Sequence, residues 1–382
     1  MQKGTVDLRS ITRIPLDTMS YSCPNDWKRV QVADRFDMAL RADVATELAF
    51  AEARRQTGST NPTEPDLVRS FFVHALEEIE SEWNSVLGNY NLRLKISGVF
   101  SHQTPMAIPL GPQAKSDARK RGIIPNPKKQ LCELGDLLFI VSHLGSTKGT
   151  GNAMMLQAKK GFHASSDPLQ RILYEHSPKF EYRRSTPALN RQRRSLTPKV
   201  DTKLAYWDLN PQVHPPLARR STTIIYASDA RIDDFSGASF GDTLTQIVFG
   251  QAGTGFSLPT SGHAWSRIVG DLVSVTSKKI LTRNPISTRG AQRGHNTNNL
   301  AALLASDGQS VLVRNSLGEA LLSISDDYEE AAERLTRIPT LEQCRGKFGD
   351  LPPIPPTLES RNDDEGNEGG ITTIFIRCGF NE

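Results

Sequence analysis

Residues 132–160 read CELGDLLFIVSHLGSTKGTGNAMMLQAKK, and the fold class hangs on how this stretch is read. Two apolar runs, 137–141 and 153–156, flank the glycine-rich turn GSTKGTGN at 145–152. Short unbroken apolar runs bounded by turn residues are the mark of strands buried on both faces. The polar residues gather at one end: Asp136 opens the first run, and Gln157 and Lys159 close the second. A buried charge is costly unless it is paired or binds a metal. In a strand, residues i and i+2 share a face, so Gln157 and Lys159 project together while Ala158 points away. Antiparallel pairing sets the start of the first strand beside the end of the second, which brings Asp136 to the same end of the sheet. A carboxylate and neutral oxygens suit a hard cation such as Mg²⁺ or Mn²⁺. Water on such a cation becomes a nucleophile near neutral pH, and a lysine steadies the charge that develops on a phosphate. Phosphodiester hydrolysis needs this equipment.

Outward from the hairpin, the pattern alternates between helix and strand. Upstream, residues 65–87 predict a helix, with Val68, Phe72, Ala75, Ile79, Trp83 and Val86 at helical spacing. At 100° per residue their arc takes in Glu82, with Glu78 at its edge and Glu77 on the opposite face. Glu82 either reaches water from the boundary of the arc or faces a site. Residues 92–110 are strand-like and lead into a basic loop at 112–131. Downstream, SSDPLQRILYEH at 165–176 has a helix start, with Ser166 or Asp167 as N-cap and Pro168 in the first turn. A basic, proline-bearing stretch at 178–220 reads as irregular. TTIIYASD at 222–229 reads as a strand, and GDTLTQIVFG at 241–250 as a helix closed by glycine. The order from 65 to 250 is therefore helix, three strands, helix, strand, helix, which is a mixed α/β domain around a small sheet.

The flanks are expected to form separate parts. Residues 1–61 make an N-terminal extension with a helix at 35–56, followed by a polar, proline-containing break at 57–65. Residues 62–252 form the central domain. Residues 253–382 form a C-terminal α/β part, with helices at 264–281 and 326–338, short core-type pieces at 300–305, 310–314 and 319–325, and a last strand at 371–380. A proline-rich connector at 347–360 and an acidic stretch at 359–370, the latter read as a linker, separate them.

A hydrophobic share of 37% in 382 residues supports a sizeable core, and no apolar run near the hairpin is long enough to span a bilayer. The N-terminus shows no signal-peptide apolar region, so no membrane and a cytoplasmic location are expected. The four cysteines form no C-x-x-C pair and read as reduced, buried thiols. Eight scattered histidines offer no H-x-x-x-H pair, which removes zinc hydrolysis. His102, His143, His263 and Trp265 read as packing or loop residues. GQAGTG at 250–255 lacks the lysine of a phosphate loop and reads as a turn.

The net charge of +4 is modest but unevenly spread. Residues 115–129 hold six Lys/Arg against one Asp, residues 179–199 hold seven against one Glu, and residues 278–293 hold five with no acid. Two of these clusters flank the hairpin, as expected of a chain that meets a polyanion. The candidate nucleic-acid-binding residues are Lys120, Arg121, Lys128, Lys129, Arg183, Arg184, Arg191, Arg193 and Arg194.

With Asp136 on one strand and Gln157-Ala158-Lys159 on the next, the chain resembles the PD-(D/E)xK nuclease superfamily, in the QxK variant of Mrr-type restriction enzymes. The resemblance covers residues 62–250. It implies a restriction-endonuclease-like core of helix, three-stranded antiparallel segment, helix, further strand and helix. It also implies a metal-dependent endonuclease acting on DNA, in restriction or defence against foreign DNA. Catalytic roles then fall on Asp136, Gln157, Lys159 and Glu82. The Mg²⁺ or Mn²⁺ ligands would be Asp136, Gln157, the backbone carbonyl of Ala158, and Glu82 or Glu78 on the first helix. Lys159 would contact the attacking water or the scissile phosphate, and the helix at 165–176 would pack beside the site and help hold DNA. A homo-oligomer or a partner protein of a defence system is the expected company. The sequence departs from the family in carrying glutamine where an acid is usual. The alternative is therefore a catalytically degenerate nucleic-acid-binding or scaffold protein of a defence complex. Glu133, with Gly135 allowing a bend, either joins the site or faces solvent.

Overall fold

The computed structural model describes residues 23–100, 105–281, 312–313 and 371–380, apart from short stretches at 125, 127–129, 145, 147–148, 162–166, 177–178, 184–188, 197–203, 215–218, 228–236 and 259–262. The pieces expected at 300–305, 319–325 and 326–338, the connector at 347–360, the acidic stretch, and the basic residues Lys128, Lys129 and Arg184 lie outside the described residues. In chain order the elements begin with α1 (Asn25–Lys28), α2 (Val32–Thr57), α3 (Glu64–Ser70) and α4 (Leu76–Leu87). Then follow β1 (Leu92–Phe100), β2 (Met106–Leu110), α5 (Pro112–Lys120), β3 (Cys132–Glu133), β4 (Leu137–His143) and β5 (Thr150–Lys159). Next come α6 (Pro168–Arg171), β6 (Lys179–Arg183), β7 (Arg193–Ser195), β8 (Leu204–His214), β9 (Arg219–Tyr226) and β10 (Ala238–Ser239). The last are α7 (Phe240–Val248), β11 (Thr254–Ser257), α8 (Ala264–Leu281), β12 (Leu312–Val313) and β13 (Thr372–Phe380).

The molecule is mixed α/β. A large mixed sheet runs in the order β10-β9-β8-β5-β4-β13-β1-β12, with β11 also paired to β5, and a second antiparallel sheet runs β3-β2-β6-β7. The hairpin lies at the centre of the large sheet. β4 and β5 pair antiparallel from Leu137 opposite Leu156 to Val141 opposite Asn152. Every residue of β4 is buried, because both sheet faces are covered. Leu137, Phe139 and Val141 join the core under the N-terminal helices. Leu138 and Ile140 join a second core with the small sheet and α8. At the heart of the first core, Trp207 stacks on Phe240 at 4.5 Å, and Phe71 meets both rings edge-on at 5.1 Å.

Three expectations change here. The strand next to β4 is not the upstream β1 but β13, which pairs parallel to β4 and antiparallel to β1. The run TTIFI is β-branched and aromatic and is buried throughout, which suits a central strand. The strand-like stretch 92–110 divides between the two sheets as β1 and β2. The stretches read as a basic loop and as irregular carry α5 and β6 to β8. β8 returns parallel to β5, and α6 lies in the connection between them, as parallel neighbours require.

The helix expected at 65–87 runs from Glu64 to Leu87 but passes through a π segment at Phe71–Ala75. Thr63 starts it with a capping box. Its hydroxyl accepts from the Asp66 N–H, and the Asp66 carboxylate accepts from the Thr63 N–H at 3.1 Å. No helix among the described residues is long and apolar enough to cross a membrane, and Cys23, Cys132 and Cys378 are buried thiols.

Candidate active site

Asp136 stands one residue ahead of β4, and its N–H donates to the Leu156 carbonyl at 2.9 Å, which continues the hairpin ladder. Its carboxylate Oδ2 accepts from the Ala158 N–H at 2.8 Å and from Gln157 Nε2. The pairing register thus brings Asp136 against Gln157 and Ala158. Lys159 is 12% exposed at its side chain, and its Nζ lies 3.8 Å from Glu64 Oε2. Glu64, the first residue of α3, reaches the end of β5, where its Oε1 accepts from the Lys160 N–H at 2.8 Å.

Glu82 stands elsewhere. It pairs with the Arg41 guanidinium, which also holds Asp37 at 2.8 Å, so it ties α4 to α2. Glu78 is exposed. Two physical reasons displace Glu82. Eighteen residues of helix separate it from Glu64, about 27 Å at 1.5 Å per residue. The arc that carries it, with Ile79, Trp83 and Val86 all buried, faces the core of the N-terminal helices, where Arg41 of α2 takes it. The carboxylate that the helix offers to the site is Glu64, an acid in the first turn beyond a capping box, and T-x-x-D at 63–66 was its only signal in the sequence.

The charges around Asp136 are unbalanced. Burial pushes its carboxyl up to about 8, and Glu133 and Glu64 add to the push against the pull of Lys159 and of the Ala158 N–H. Burial alone would lower the Lys159 ammonium, but Asp136, Glu64, Glu133 and Asp167 outweigh it and leave the group above its ordinary value. Lys159 is therefore a proton donor at neutral pH. Beneath the site, Gly135 packs so closely that a Cβ there would lie 2.6 Å from Met155 Cγ and 3.0 Å from Tyr174 Oη. Tyr174 in turn donates to the Leu134 carbonyl at 2.8 Å. Neither Tyr174 nor the buried Gln170 stood out from its helical neighbours in the sequence.

Whether these groups suit a hard cation turns on one atom. Gln157 is wholly buried, and its Oε1 has no hydrogen-bond partner. A buried acceptor left unmade is expensive. Among the described residues no group of three or more His, Cys, Asp or Glu is gathered as a ready metal cage. The donors here are mixed: Asp136 and Glu64 carboxylates, the Gln157 amide oxygen and the Ala158 carbonyl. That set fits Mg²⁺, which is held by one or two carboxylates and keeps several waters.

The candidate nucleic-acid residues divide. Lys120, Arg121 and Arg191 are exposed, with Lys120 3.6 Å from Asp117. Arg183 and Arg193 share Glu181, at 2.7 and 3.2 Å. Arg194 grips Asp271 of α8 through two hydrogen bonds of 2.6 and 3.1 Å and lies over the Tyr182 ring, which ties β7 to α8. His143 is buried, edge-on to Trp27 at 5.0 Å, and away from the site.

No family model matches the chain, and neither a curated protein nor a solved structure matches it.

Proposed function

We propose that the chain is a metal-dependent endonuclease that hydrolyses phosphodiester bonds in DNA, serving restriction or defence against foreign DNA. The observation that carries this reading is the charge balance at the end of β5. Asp136 feels Glu133 and Glu64 there, and the Lys159 ammonium, 3.8 Å from Glu64, lies among all three. A deficit of positive charge in a partly buried pocket of oxygens is what a divalent cation fills.

Asp136 and Glu64, with the Gln157 amide oxygen and the Ala158 carbonyl, would hold Mg²⁺ or Mn²⁺. When bound, the cation supplies Lewis acidity toward a phosphate oxygen and lowers the pKa of water. Gln157 now turns its N–H₂ toward Asp136; to offer its oxygen instead, its amide rotates. Lys159 would donate to a non-bridging phosphate oxygen and stabilise the charge that grows there. The exposed cations Lys120, Arg121 and Arg191 would hold the strand backbone by charge.

The test is cleavage of supercoiled plasmid with Mg²⁺ or Mn²⁺ by the wild type and by Asp136→Ala, Glu64→Ala and Lys159→Ala. Nicking or linearisation is expected only with metal, and about 10²–10³-fold less from Lys159→Ala. Metal-dependent DNA binding without cleavage by the wild type would favour the degenerate scaffold. Cleavage unchanged in all three variants would overturn the site.

A further inference from the structure

Lys159 and Lys160 are adjacent in the chain. The structure gives them different surroundings. Successive side chains of a strand leave on opposite faces. Lys159 faces Glu64 and the Asp136 carboxyl. Lys160, just past the end of β5, sends its Nζ to the Pro62 carbonyl at 2.7 Å and to Asn61 Oδ1. Its backbone N–H donates to Glu64 Oε1 at 2.8 Å. One residue thus joins the strand end to the loop ahead of α3 at two points and to the first residue of α3 at a third. Thr63, the last residue of that loop, and the first residues of α3 are set by the capping box. A glutamate at the first position of a helix is placed by the loop before it as well as by the helix itself.

We propose that Lys160 is a positioning residue: it staples the 61–62 segment to the end of β5 and so holds Glu64 within reach of the cation, and it does not itself contact nucleic acid. This rests on the reading of Glu64 as a cation ligand. Groups that orient ligands in this way change metal affinity by about 10–100-fold when removed.

The test measures Mn²⁺ binding to the full chain by titration calorimetry, and DNA binding in EDTA by fluorescence anisotropy. Lys160→Met should weaken Mn²⁺ binding by about 10–100-fold and leave the EDTA affinity for DNA unchanged. Lys160→Arg, which can still reach both oxygens, should restore most of the Mn²⁺ affinity. Asn61→Ala, which removes one anchor and leaves Lys160 in place, should act in the same direction and less strongly, so a fold defect in one variant does not decide the matter. Mn²⁺ binding by Lys160→Met equal to wild type overturns the inference alone, as does a loss of DNA affinity in EDTA. A wild type that binds no Mn²⁺ overturns both the inference and the reading of the site. A wild type that binds Mn²⁺ through Lys160 but cuts no DNA leaves the inference standing and removes the nuclease.

Discussion

The Asp136 carboxylate accepts a hydrogen bond from the Ala158 backbone N–H at 2.8 Å. Its position is therefore set by the strand backbone as well as by the Gln157 side chain. The same hydrogen bond holds a carboxyl in a place where its charge is disfavoured.

From that follows an effect on stability. Asp136 is raised from 3.8 to about 8 in the fold, so the folded state holds this proton more tightly than the unfolded chain. Its contribution is whole below the ordinary carboxylate range and is lost as pH rises through about 8. Asp136→Asn imitates the protonated form. Without added metal, it should melt higher than wild type at pH 8 and converge with it near pH 4, each kcal/mol appearing as about 2–4 °C. It should also lose cleavage. Equal melting at pH 8 would contradict the placement of Asp136 among like charges.

His143 should act in the opposite direction. Burial holds it down to about 3, so it is neutral in the fold, and the unfolded chain binds its proton first. Its contribution is present above pH 6.5 and is lost as pH falls toward about 3. Urea midpoints between pH 7 and pH 4 should fall for the wild type and less steeply for His143→Gln.

Glu64→Ala and Glu82→Ala separate the two helix acids. Loss of Glu64 should reduce metal-dependent cleavage by about 10²-fold. Loss of Glu82 removes a part-exposed ion pair with Arg41, should cost about 1 kcal/mol or less, and should leave cleavage intact. The reverse pattern would restore Glu82 to the site.

Gly135→Ala tests the floor beneath Asp136. The added methyl meets Met155 and Tyr174 inside van der Waals distance. Overpacking of this kind costs about 1–3 kcal/mol. Thermal melting should show that loss, and cleavage should fall further than stability because Asp136 is the next residue.

The arginines should sort by what they touch. Arg194→Ala removes the two bonds to Asp271 and should destabilise by about 2 kcal/mol, with little effect on how DNA binding depends on salt. Lys120→Ala, Arg121→Ala and Arg191→Ala should each stay within about 0.5 kcal/mol of wild-type stability. Removing a cation that grips a phosphate should reduce the salt slope of DNA binding by about 1.

The sequence by itself determined the hairpin and the meeting of Asp136 with Gln157. Strand periodicity and antiparallel pairing are local rules, and a turn of a few residues fixes which ends meet. It also carried the helix at Glu64–Leu87 in its apolar spacing. The tertiary structure decided the rest. Arg41 of α2, 41 residues away in the chain, took Glu82 into an ion pair. Glu64 met Lys159 across 95 residues of chain because a capped helix start happens to lie over the strand end. β13 took the place beside β4 although more than 220 residues separate them. Such choices depend on which distant apolar surfaces bury one another best, and no window of neighbouring residues contains that comparison.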